Sequence, residues 1–69
     1  MDDAQIRSVL RGFIDEIFAP ITVAEAREIT RRLHDFIKQE HVTDEQLEEF
    51  TASGAGETLY MVASMTHED

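Results

Sequence analysis

The chain has 69 residues with no cysteine, and its 15 acidic and six basic side chains give a formal net charge of −9. This size predicts one domain that buries only about 60% of its unfolded surface. The lack of cysteine excludes disulfides and thiolate zinc sites, and the net charge opposes direct binding of nucleic acid. The apolar runs are far shorter than the roughly 18 residues of a membrane span, and the chain does not start with a signal region, so we expect a soluble cytoplasmic protein.

The charges are segregated along the sequence. All six Lys and Arg residues lie in the first 38 positions, where seven acids nearly balance them. Residues 39–69 carry eight acids and no Lys or Arg. This asymmetry predicts a folded scaffold followed by an anionic surface, which would attract a basic protein.

The first predicted element is an amphipathic helix over about residues 3–18, because apolar residues recur there every three or four positions. Asp2 or Asp3 can cap its start, and Pro20 predicts a turn over residues 18–22. The predicted inner face is Ile6, Val9, Leu10, Phe13, Ile14 and Ile17.

A second helix is predicted over about residues 23–40, because Thr22 and Glu25 have the spacing of a capping box. The short connection makes the two helices an antiparallel hairpin with facing apolar stripes. On the outer face, Glu28 and Arg32 lie one turn apart, as do Arg31 and Asp35. The inner face of this helix includes Leu33, Phe36 and Ile37.

A third, short helix is predicted over about residues 44–52. Thr43 and Gln46 form a second capping-box pattern, and Val42 can pack on Leu47 as a hydrophobic staple. The glycines that follow predict a flexible joint at residues 53–57. Residues 57–66 fit a helix or a strand by their apolar pattern, and we expect a helix.

The predicted fold class is therefore all-α, with a helical hairpin, a short third helix and a possible C-terminal helix in a single domain spanning residues 1–69. The apolar face that includes Phe13, Phe18 and Phe36 is larger than one short helix can cover. This excess favours a homodimeric helical bundle, with a monomeric three- or four-helix domain as the alternative.

Motifs for catalysis or cofactor binding are lacking. The Gly54–Gly56 segment has neither the third glycine nor the preceding strand of a dinucleotide loop, and the paired carboxylates lie on solvated helix surfaces. His34, His41 and His67 do not form a set of converging metal ligands. We therefore expect no enzymatic activity, no metal, no cofactor and no small-molecule substrate.

The acidic third helix is the remaining functional signal, because like charges one turn apart weaken their own helix. These acidic side chains would either serve only to keep the protein soluble or attract a partner protein. We expect a non-enzymatic module that inhibits a partner by occupying a basic surface, such as the DNA-binding domain of a transcriptional activator. Small acidic phage- or plasmid-type antagonists act in this way. The predicted partner-binding residues are Asp44, Glu45, Glu48, Glu49, Leu47, Phe50, Tyr60 and Met61.

A second hypothesis comes from the sequence from residue 42 onward. The stretch Val42–Leu47, the glycine-rich joint and the tail Leu59–His67 together resemble bacterial split-borosin precursors. The resemblance covers less than half of the chain. It implies a ribosomal peptide precursor whose C-terminal tail is methylated on backbone amides by a separate S-adenosylmethionine-dependent enzyme. A structural subunit of a larger assembly is a third possibility.

Overall fold

A computed structural model describes residues 1–65, which contain four helices and no strand. The helices are α1 (Asp3–Phe18), α2 (Val23–Glu40), α3 (Glu48–Ala52) and α4 (Ala55–Ser64). The all-α prediction is confirmed, and so is a helix in the C-terminal segment, of which Thr66 lies outside the described residues. No helix within residues 1–65 is both long enough and apolar enough to cross a membrane.

Both long helices begin at capping boxes. The Asp2 carboxylate accepts a hydrogen bond from the Gln5 backbone N–H (2.9 Å), and the Gln5 side chain accepts one from the Asp2 N–H (3.0 Å). Thr22 and Glu25 form the same reciprocal pair at the start of α2, at 3.0 and 2.8 Å. These bonds satisfy backbone N–H groups that have no partner inside the helix, so both predicted N-termini are confirmed.

The ends of α1 and α2 are also set locally. α1 ends at Phe18 because Ala19 precedes Pro20 and adopts an extended conformation, with φ −75° and ψ 160°. α2 ends where His41 adopts a left-handed conformation (φ 52°, ψ 48°) and donates its N–H to the Ile37 carbonyl. The predicted ranges 3–18 and 23–40 are therefore confirmed.

The third helix is shorter than the predicted 44–52, because α3 begins at Glu48. The predicted capping box does form, since the Thr43 and Gln46 backbone N–H groups donate to each other's side chains at 3.0 and 3.1 Å. Residues 44–47 are nevertheless a turn. The Leu47 N–H donates to Thr43, four residues back, but the Glu48 N–H donates to Glu45, three residues back, so the α-helical hydrogen-bond pattern is not continuous before α3.

Ser53 and Gly54 join α3 to α4. Gly54 has a positive φ of 81°, a conformation that glycine adopts without the penalty a side chain would bring. The Ser53 hydroxyl donates to the Phe50 carbonyl (2.7 Å) and accepts from the Ala55 N–H (3.1 Å). Residues 55–57 of the predicted joint form the first turn of α4, while the flexibility predicted for residues 53–57 stays a prediction.

The core lies between the hairpin and the two shorter helices. α4 packs against each of the other three helices, and α3 also packs against α1. The Phe13 and Phe36 rings lie 6.2 Å apart between centroids, and the Arg32 guanidinium lies 5.6 Å from the centre of the Phe13 ring. The α1–α2 stripes are thus covered within one chain. The buried residues are Ile6, Leu10, Phe13, Ile17, Ala26, Ile29, Leu33, Phe50, Ala55 and Leu59.

Four more of the residues predicted to form the inner face, together with Ile21 of the turn, lie at the edge of this core. They are partly buried and pack against it, so the register predicted for α1 and α2 is right. These residues are Val9, Ile14, Ile21, Phe36 and Ile37. Phe18, in contrast, is 52% exposed at the end of α1 and does not belong to the core.

Candidate protein-binding surface

The predicted acidic surface is partly neutralised by α1. Arg11 donates through Nη2 to both carboxylate oxygens of Glu49, each at 3.2 Å. This pair joins α1 to α3 across 38 positions of sequence. Glu49 therefore belongs to an intramolecular ion pair, although the sequence places it among acids that have no nearby basic residue.

A second arginine of α1 acts on the turn before α3. Arg7 pairs with Asp3 at 2.8 Å, and Gln46 donates to the other oxygen of Asp3 at 2.7 Å. The hydrogen bonds from Gln46 and then from Arg7 lower the pKa of Asp3. Asp3 raises the pKa of Arg7, and the charges of Glu45 and Glu49 add to that effect. Glu45 thus lies within the electrostatic reach of α1.

Two of the predicted partner-binding acids keep their charge uncompensated. Asp44 and Glu48 are exposed and make no ion pair within residues 1–65. They are four positions apart, with Asp44 in the turn that leads into α3 and Glu48 at the first position of α3. We call Asp44 and Glu48 the acidic edge.

The four predicted apolar anchors differ in exposure. Tyr60 is 74% exposed and Met61 is 63% exposed, so both present apolar area to solvent. Leu47 is partly buried against the core. Phe50 is only 7% exposed, because its ring is part of the core and lies near Gly56. Phe50 is therefore a core residue beneath this surface and is not exposed to a partner.

A groove of about 410 Å³ lies between α2 and the α3–α4 pair. We call it the α2–α4 groove. Its apolar walls include the core residues Leu33, Phe50 and Leu59, and the exposed side chains of His34 and Tyr60 stand at its edges. An open apolar groove with an aromatic side chain at its edge is typical of a binding surface.

A contact that the sequence did not predict joins α2 to the end of α4, beside the groove residue Ala63. Arg27 on α2 donates to the carbonyl oxygens of Ala63 (3.1 Å) and Met65 (3.4 Å), at the C-terminal end of α4. These carbonyls are among those a helix leaves without an internal partner, and the helix dipole favours a cation there. The sequence signal was an arginine in the first turns of α2, which does not identify so distant an acceptor.

A second concavity, of about 380 Å³, lies at the turn between α1 and α2. Its charged side chains include Glu16 and Arg32, which pair with each other at 2.7 Å and join α1 to α2. The outer-face pairs therefore differ from those predicted by spacing, because Arg32 reaches Glu16 and Arg31 pairs with Glu28 at 2.6 Å. Both arginines are engaged inside the chain.

Groups for catalysis or metal binding can be described only for residues 1–65. In that range no three His, Asp or Glu side chains come together as a metal site, and no polar or charged side chain is buried. His34 and His41 are both exposed, and His67 lies outside the described residues.

Comparisons with known proteins find no match: no family model, no curated protein and no solved structure is similar to this chain.

Proposed function

We propose that the protein is a non-enzymatic binding module that inhibits a partner protein by occupying its basic surface. The observation that carries the proposal is the acidic edge, whose two exposed carboxylates make no ion pair in the described part of the chain. The other acids of the same segment differ, because Glu49 is bound by Arg11 and Glu45 lies in the field of Arg7.

Apolar contact area accompanies these charges. Met61 and Tyr60 are exposed on α4, and burial of a side chain of this size contributes about 1.5 to 3 kcal/mol. Exposed charges at the rim of an interface act mainly on the association rate, whereas buried apolar anchors act on the dissociation rate. The acidic edge would attract the partner, and the apolar side chains would hold it.

A DNA-binding domain of a transcriptional activator suits this chemistry. Such a domain presents a basic helix that neutralises phosphates, and an anionic protein bound to that helix excludes DNA. The net charge of −9 supports this role for the whole molecule, since like charge opposes its own approach to DNA. A cytoplasmic location is part of the proposal, in keeping with a sequence that lacks cysteine.

The test compares two variants that have the same net charge. Asp44→Asn with Glu48→Gln neutralises the acidic edge, whereas Asp15→Asn with Asp35→Asn neutralises two exposed acids elsewhere. The partner is first identified by affinity purification from the source organism and mass spectrometry. Association rates are then measured against ionic strength with the purified partner.

We expect the acidic-edge variant to associate about three- to tenfold more slowly at low salt, with a weaker salt dependence, because it has lost part of the steering field. The difference should shrink near 0.15 M salt, where screening acts within about 8 Å. The Asp15 and Asp35 variant should keep the wild-type rate. Equal association rates for the two variants at low salt would contradict the proposal.

The peptide-precursor hypothesis requires an enzyme to reach the backbone amides of α4. Its tail begins at Leu59, which is 4% exposed and belongs to the core, and α4 continues to Ser64. A methyltransferase would need to unwind this helix before it could reach the backbone amides, which is why we prefer the binding module. The intact mass of the native protein tests the precursor, because methylation adds one methylene per site.

A further inference from the structure

We propose that the α2–α4 groove is the interface of a homodimer, in which a second copy of this chain covers the groove. The sequence predicted a homodimer through the apolar face of α1, but α3 and α4 cover that face within one chain. Ile6, Leu10 and Ile17 on α1 are each no more than 5% exposed. Self-association therefore needs a different apolar surface, and the groove offers one.

The two sides of the groove differ in charge. On α2, the groove residue His34 has Arg31 one turn before it and Lys38 one turn after it. Glu28 and Asp35 offset Arg31 from farther round the helix, so the basic charge of this side rests mainly on Lys38. On α4, the groove residue Tyr60 has Glu57 one turn before it, so this side is acidic and aromatic. Lys38 and Glu57 are exposed and make no ion pair within residues 1–65.

The heights of these groups along the groove follow from the Arg27 contact. Arg27 lies against the carbonyls of Ala63 and Met65, which places the start of α2 at the end of α4, so the two helices run antiparallel. Both helices rise by about 1.5 Å per residue. His34 is seven residues after Arg27, and it therefore lies level with the segment 56–58, which contains Glu57.

This pattern is self-complementary under two-fold symmetry. A two-fold axis along the groove would place the basic side of each copy over the acidic side of the other, with the apolar walls between them. Glu57 would then face His34 and Lys38 of the second copy, and Tyr60 would face Arg31. Arg31 pairs with Glu28 in the single chain. Because its guanidinium is exposed, it can still stack on the Tyr60 ring of the second copy.

Tyr60 is the expected anchor of this interface. It is the most exposed of the large apolar side chains in the described chain, and aromatic residues at the centre of an interface contribute more than most others. Two symmetric Tyr60 side chains would cover the walls that include Leu33 and Leu59. Asp44 and Glu48 do not line the groove, and the dimer variants below change neither of them, so the dimer and the proposed function can fail separately.

The experiment measures the dimer dissociation constant of the full chain by sedimentation equilibrium. We expect the wild type to dimerise at micromolar concentrations. Tyr60→Ala should raise the dissociation constant at least about tenfold, whereas Phe18→Ala, at the end of α1 and outside the groove, should leave it nearly unchanged. Circular dichroism should show both variants folded, since both side chains are exposed.

Charge reversal tests the symmetry itself. Glu57→Lys places a second base opposite Lys38 of the other copy, and Lys38→Glu places a second acid opposite Glu57, so each variant alone should be largely monomeric. An equimolar mixture of the two should form a heterodimer, because each of the two symmetric contacts then pairs an acid with a base. Asp15→Lys changes the net charge as Glu57→Lys does, but on the exposed face of α1, and it should still dimerise.

Two results would overturn the proposal. The first is a wild-type protein that remains monomeric at high micromolar concentration, which would leave the groove to a different protein. The second is a dimer that survives both Tyr60→Ala and Glu57→Lys, which would place the contact on another surface.

Discussion

The α1–α2 hairpin and the segment from residue 41 to residue 65 differ in the range of the contacts that order them. Each helix of the hairpin starts at its own capping box and carries a continuous apolar stripe. The later segment is tied to the hairpin by side chains far away in sequence, such as Arg11 with Glu49 and Arg27 with Ala63. Basic and acidic residues that are separated along a chain can therefore be joined across its fold.

The first prediction removes the centre of the hairpin and carries the largest expected effect. Phe13→Ala should lower the free energy of unfolding by about 3 to 5 kcal/mol, because Phe13 is buried against the Phe36 ring. Phe18→Ala is the control, since Phe18 is 52% exposed and should cost far less. Urea unfolding monitored by circular dichroism measures both. A similar loss for the two variants would show that this region of the core is placed wrongly.

The second prediction tests whether α4 covers the apolar face of the hairpin. Leu59→Ala should cost about 2 to 5 kcal/mol, since Leu59 is only 4% exposed and α4 packs against α1 and α2. Met61→Ala, on the exposed side of the same helix, should stay within about 0.5 kcal/mol of the wild type. If Leu59→Ala were as mild as Met61→Ala, α4 would not be part of the cooperative core.

The third prediction uses one substitution at two glycines. Gly54→Ala should lower the free energy of unfolding by about 1 kcal/mol or slightly more, because φ at this position is 81° and a side chain is strained there. Gly12→Ala, in the middle of α1 with open space around it, should instead stabilise by about 0.5 to 1 kcal/mol. Thermal unfolding of both variants reports the sign, and equal signs would contradict the turn geometry.

The smallest expected effect concerns pH and the contact between α1 and the turn at Gln46. The pKa of Asp3 is lowered from 3.8 by its bonds to Gln46 and Arg7, so its ionised form stabilises the fold. That contribution is complete when the pH is above the ordinary pKa of 3.8, and it is lost as the pH falls through the lowered pKa. Asp3→Asn should therefore be less stable than the wild type at neutral pH, and the difference should shrink as the pH falls below 3.8 and through the lowered pKa, as urea unfolding can measure. A constant difference across this range would contradict the assignment.

The hairpin could be predicted from sequence because its signals are local. Capping pairs three residues apart and a proline after the first helix specify α1 and α2 without knowledge of the rest of the chain. The start of α3 was placed wrongly for a related reason. Thr43 and Gln46 do form their capping box, but the Glu48 N–H bonds to Glu45 three residues back, and a continuous α-helix begins only at Glu48.

The candidate surface was harder to predict because exposure is set by packing between helices. Phe50 and Tyr60 look alike in sequence as aromatic residues near acids, yet one is 7% exposed and the other 74%. Glu49 and Glu48 are neighbours, and only Glu49 faces an arginine of α1. Spacing alone cannot supply these distinctions, since they depend on which face each short helix turns towards the hairpin.

The contact of Arg27 with the end of α4 has a consequence for local motion. The last turn of a helix normally frays, because its carbonyls have no partners within the helix. Here the guanidinium of a long, central helix holds that turn. The backbone amides near Ala63 should exchange their hydrogens with solvent as slowly as the middle of α4 does, and opening of this end would require α2 to release it first.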